Sequence, residues 1–83
     1  MEIDEFYLFD IWNKQIGRCA YSAIPLTLDT NCYNTVSLDR IDSDKDYLRG
    51  NVQLVCTAVN KMKQEYSEEL FLYLCKSIVQ NSQ

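Results

Sequence analysis

The stretch SLDRIDSDKDYLRGNVQLVCTAVNKMK, residues 37–63, constrains this chain more than any other. It is entered by a strand-like run, Thr35-Val36-Ser37-Leu38, that ends on the charged pair Asp39-Arg40. Alternation along a strand sends Val36, Leu38 and Arg40 to one face and Ser37, Asp39 and Ile41 to the other. Residues 42–50, DSDKDYLRG, follow as a polar loop. Residues 51–63 read as a helix, with Val52, Val55, Cys56, Val59 and Met62 on one face at helical spacing and Asn60 at its boundary. Strand, loop and helix in that order can fold back so that Asp39 and Asn60 face each other. Two oxygen-bearing side chains converging in this way make half a site for a hard divalent cation.

The remaining segments read as support for that unit. Residues 2–15 have the spacing of an amphipathic helix, with Ile3, Tyr7 and Ile11 at i, i+4 and i+8 and Phe6, Leu8 and Trp12 widening the stripe. Asp4 and Glu5 suit its first turn, Lys14 its last, and Gly17 a C-terminal stop. Residues 18–26, RCAYSAIPL, fit a short strand turning into a second one, and Pro25 belongs at an edge or turn because it cannot donate to a ladder. Residues 27–34 form a polar loop, and the hairpin as a whole spans 18–41. Ser67 caps a last helix over 68–80, with Leu70, Phe71, Leu74 and Ile78 as its buried stripe, closing the core against the first helix. The fold class is α+β, in one domain over 1–83.

Composition bounds the function. The formal net charge is −4, the wrong sign for a protein held on DNA mainly by phosphate contacts. The distribution softens this. Arg40, Lys45, Arg49, Lys61 and Lys63 all lie in the central stretch, against Asp39, Asp42, Asp44 and Asp46. No apolar run reaches the length of a membrane span, and the N-terminus lacks a signal-peptide layout, so a cytoplasmic location is expected. The Asp-x-Asp-x-Asp run over 42–46 resembles a calcium loop, but Gly50 has the wrong offset and no glutamate closes it, so it reads as a solvated turn.

Asp39-Arg40-Ile41, then Gly50-Asn51-Val52-Gln53-Leu54-Val55-Cys56, then Asn60 and Lys63 resemble the HNH endonucleases, the His-Me finger or ββα-metal group. A closer likeness within the group is to small phage members carrying CAxSGIPL, SLDRIDS and GNVQxV…NxMK segments, and the resemblance runs from about Gln15 to the C-terminus. The resemblance implies a ββα-metal finger, a β-hairpin plus site helix, packed between the terminal helices. It implies a Mg²⁺ or Mn²⁺ ion on Asp39 and Asn60, Asn51 holding the loop, Arg40 and Lys63 on phosphate, and DNA as the substrate of a metal-dependent endonuclease or nickase.

Two departures qualify the resemblance. The family's general-base histidine is replaced by Arg40, and the chain has no histidine at all. Arginine has donors only and stays protonated, so it cannot take a proton from water. The result is either a slow enzyme or a catalytically inactive binding protein of the same fold, a phage inhibitor or a binder of nucleotide or protein. The second departure concerns zinc. Some family members hold a structural zinc on two CxxC knuckles; here only Cys19 and Cys56 remain, with Ser22 and Val59 at the other positions, and two thiolates do not fill a tetrahedral site. No structural zinc is therefore expected, and all four cysteines read as reduced core thiols, a Cys19–Cys56 disulfide being the alternative that a reducing compartment disfavours. The family's usual glycine is Ala23 here, which would strain a turn needing positive φ.

Overall fold

The computed structural model describes residues 3–82. The first helix, α1, runs over Glu5–Gln15. The reading that starts it at residue 2 lies partly outside the described residues. Asp4 caps it, its Oδ1 accepting from the Tyr7 N–H at 2.9 Å. Ile16 (φ 56) and Gly17 (φ 64) end it in left-handed conformations. At Gly17 a Cβ would stand 3.0 Å from the Trp12 ring, so both backbone sign and space require glycine there.

The sheet is a single antiparallel pair, β1 (Val36–Arg40) and β2 (Val52–Cys56), with Asp39 opposite Gln53 and Leu38 opposite Leu54. Two boundaries therefore differ from the sequence reading. The hairpin is closed by the loop 42–50, not within 18–41. Residues 52–56, read as the first half of a helix, are a strand. The helical spacing of Val52, Val55 and Cys56 carried no information here. A short apolar run buried on both faces fits either period, and β2 is buried at four of five positions. The helix that follows, α2, covers only Thr57–Lys63. Chain order in this unit is strand, loop, strand, helix.

Residues 18–26 form a tight turn with one isolated bridge, Arg18 to Pro25, in place of two strands. The Cys19 N–H donates to the Ile24 carbonyl at 2.9 Å and the Ala23 N–H to the Cys19 carbonyl at 2.9 Å. Ala23 has a positive φ of 61, so alanine carries the strain of a left-handed position in this turn. The open edge of β2 is covered by this region. Gln15 bonds both backbone groups of Leu54, accepting from its N–H at 3.0 Å and donating to its carbonyl at 2.9 Å, while the Ala20 N–H reaches the same carbonyl at 3.0 Å. An amide side chain thus stands in for a neighbouring strand.

Cys19, Leu26, Leu54, Val55 and Cys56 make the core, with Ile11, Trp12, Tyr21, Ile24, Val36, Leu38 and Val59 packed around them. The last helix, α3 (Glu68–Asn81), is capped by Ser67, which accepts from the Leu70 N–H at 3.2 Å. It meets the body through Phe71, whose ring stands edge-on to Tyr21 at 5.4 Å. The rest of its expected buried stripe is not buried: Leu70 is 42% and Ile78 64% exposed. It forms no packed pair with α1. No described helix is long and apolar enough to cross a membrane.

Candidate functional site

Asp39 and Arg40 close β1, and α2 lies against that strand. A small cavity of about 60 Å³ opens where they meet, lined by Leu38, Asp39, Arg40, Ser43, Tyr47, Asn60 and Gln64. The structure thus brings Asp39, Arg40 and Asn60 to one place.

Asp39 is only 4% exposed. Both its oxygens accept from the Lys63 ammonium at 3.0 Å, and Oδ2 also accepts from Gln53 Nε2 at 3.0 Å. Lys63 is 1% exposed and gives its remaining donor to the Arg40 carbonyl at 2.6 Å. Its Nζ also lies 5.9 Å from the centre of the Tyr21 ring. All three ammonium donors have acceptors, which is what makes burial of this charge tolerable. Lys63, which the resemblance assigns to phosphate, lies one turn past Asn60, is buried, and bonds Asp39 and the Arg40 carbonyl.

Asn60 donates to Ser37 Oγ at 2.7 Å and to the Leu38 carbonyl at 3.4 Å. These bonds fix α2 to β1. Asn51 sits at the entry to β2, not at a helix start, and is buried. Its Oδ1 accepts from the Asp42 N–H at 2.9 Å, and its Nδ2 donates to the carbonyls of Asp42 at 3.1 Å and Asp46 at 2.9 Å. One side chain therefore closes the turn 42–46 and leaves no amide hydrogen to spare. Arg40 is half-buried. It donates to the Lys45 carbonyl at 3.3 Å, and its guanidinium carbon lies 5.2 Å from the centre of the Tyr47 ring.

The donor set does not suit a divalent cation as it stands. A carboxylate whose two oxygens already face an ammonium has its charge matched, and a second cation beside Lys63 would be repelled at short range. Among the described residues no group of three or more His, Cys, Asp or Glu side chains could hold a metal. Cys19 and Cys56 are both buried, the Cys56 N–H donates to Cys19 Sγ at 3.4 Å, and Val59 packs against the same cluster.

The sequence reading missed Gln53 and Tyr21. Gln53 faces Asp39 across the ladder, a pairing visible only once 52–56 is read as a strand. Tyr21 had no polar pattern to mark it. Its hydroxyl is buried without a hydrogen-bond partner. Burial first, and then the nearby carboxylates of Glu68 and Asp39, push its phenol far above the ordinary range. Gln53 and Glu68 lie near the hydroxyl, but neither is placed to form a hydrogen bond with it.

Comparison with protein-family models, with curated proteins and with solved structures gives no match to this chain.

Proposed function

We propose that this chain is a binding domain on an HNH-type ββα scaffold, taking the phosphate of a nucleotide ligand at the cavity beside Arg40. The observation that carries the reading is the buried Asp39–Lys63 pair. It cancels the one carboxylate in the cavity wall, and no carboxylate of the described residues pairs with Arg40. Arg40 is then the cavity's uncompensated charge, with Ser43, Tyr47, Asn60 and Gln64 as polar neighbours. A guanidinium suits a phosphate by geometry as well as by charge. At about 60 Å³ the cavity has room for about two waters' share of liquid, so it takes a terminal group and not a base.

A second reading, the metal-dependent HNH nuclease, is favoured by the order strand, loop, strand, helix and by Asp39 and Asn60 sharing one cavity. It requires Lys63 to release Asp39. One experiment separates the two. Adenosine triphosphate is titrated into labelled protein at low salt and followed by ¹H–¹⁵N NMR, and plasmid nicking is assayed with Mg²⁺ or Mn²⁺. The binding reading expects shifts confined to residues 38–47 and 60–64, at least tenfold weaker binding in Arg40→Ala, and no nicking. Nicking by the wild type that Asp39→Ala abolishes overturns it in favour of the nuclease. Nicking gained only in Arg40→His identifies an HNH scaffold whose base has been lost.

A further inference from the structure

Cys19 and Cys56 come from segments far apart in sequence and meet in the core. Cys19 opens the tight turn 19–24; Cys56 ends β2 and caps α2. They are 3% and 1% exposed. The backbone N–H of Cys56 donates to Cys19 Sγ at 3.4 Å, and Ser22 Oγ lies 3.9 Å from Cys56 Sγ. Cys32 and Cys75 are outside this cluster and less buried. We propose that Cys19 and Cys56 form a dithiol site that hydrogen peroxide closes to an intramolecular disulfide, tying the 19–24 turn to the β2–α2 junction.

The two thiols differ in the way such a pair needs. Burial pushes the Cys19 thiol up, but the dipoles of the nearby Ser22 hydroxyl and of the backbone N–H groups around it outweigh burial, and the net shift is downward; of these groups the Cys56 N–H makes a hydrogen bond to Cys19 Sγ. Burial pushes the Cys56 thiol up, and the Cys19 sulfur beside it adds to the rise. Cys19 is therefore the more readily ionised of the two and the attacking thiol, and Cys56 the resolving one. In the first step the Cys19 thiolate attacks a peroxide oxygen. The S–O bond forms, the O–O bond breaks, and hydroxide leaves to take up the proton Cys19 had lost. In the second, Cys56 sulfur attacks the sulfenic sulfur; the S–S bond forms, the S–O bond breaks, and the Cys56 proton departs with the oxygen as water. The two sulfurs together lose two electrons, and the peroxide is reduced to two waters.

The disulfide would fix the start of α2, the helix that carries Asn60 and Lys63, to the turn beneath it. The test uses the full chain with Cys32→Ser and Cys75→Ser, so that only the proposed pair remains. The folded protein is treated with hydrogen peroxide, then analysed by intact mass and by peptide mapping without reductant. The expected product has lost two hydrogens, is monomeric, links residue 19 to residue 56, and returns to the starting mass with dithiothreitol. Oxygen added to Cys19 with no linkage, a disulfide between two chains, or an unchanged mass under peroxide that oxidises the urea-unfolded chain would each overturn the proposal.

Discussion

The ammonium of Lys63 stands 3.0 Å from each carboxylate oxygen of Asp39, and both side chains are almost wholly buried. The pair joins the end of β1 to the end of α2 and occupies the position where the sequence pattern placed a cation. Such a pair matters most when it is broken on one side. Removing one partner of a buried pair costs about 3–5 kcal/mol, whereas replacing both by apolar groups is close to neutral. Lys63→Met should therefore destabilise the fold by about 3–5 kcal/mol in urea unfolding, and Lys63→Met with Asp39→Leu should recover most of that loss. A double variant no better than the single one would mean that the pair's geometry, not its charge balance, holds the strand end.

At Ala23 the turn has a left-handed conformation and an alanine occupies it, with φ 61. Ala23→Gly should relieve the strain at the cost of a more flexible unfolded chain, for a net gain of about 1 kcal/mol. Thermal unfolding measures this directly. A loss of stability would place the strain elsewhere.

The Tyr21 hydroxyl is buried without a hydrogen bond, and its phenol titrates above its unfolded value because of burial and then the Glu68 and Asp39 carboxylates. A raised folded value means the native state holds the proton more tightly than the unfolded chain. The contribution to stability is then complete below about pH 10, the unfolded value, and is lost as pH rises from there through the folded one. Stability of the wild type should fall more steeply above pH 10 than that of Tyr21→Phe. At neutral pH the phenylalanine variant should be more stable by about 1 kcal/mol, since it removes a buried unsatisfied hydroxyl and keeps the ring against Phe71. Denaturant midpoints from pH 7 to 11 check both statements.

The terminal elements were legible in the sequence because their signals are local. Asp4, Ser67 and Gly17 act through the backbone a few residues away, and α1 and α3 begin and end near them. Residues 52–56 were not legible as a strand, because a run buried on both faces lacks the alternation that marks a half-exposed one. That error hid the Asp39–Gln53 pairing. That Asp39 and Asn60 line one cavity was suggested by the order of elements and by the resemblance, while Asn60 taken alone reads as a solvated helix residue. The commitment of Lys63 to Asp39 was not, since a lysine in the last turn of a short helix ordinarily points to solvent. What placed it inside was the turn of α2 onto β1, a tertiary fact with no counterpart in the local sequence. The stripe on α3 misled for a similar reason. Leu70, Leu74 and Ile78 have core spacing, but Phe71 is the residue of α3 that is buried.

The central claim is that Lys63 holds the place of a cation at Asp39. It is tested most directly by observing the Lys63 side-chain ammonium in ¹H–¹⁵N correlation NMR while magnesium chloride is added. The account predicts a slowly exchanging cross-peak, protected by its bonds to Asp39 and to the Arg40 carbonyl, that stays unchanged as magnesium rises into the millimolar range. A cross-peak that moves or disappears with added magnesium, as Asp39 passes from lysine to the ion, would contradict it.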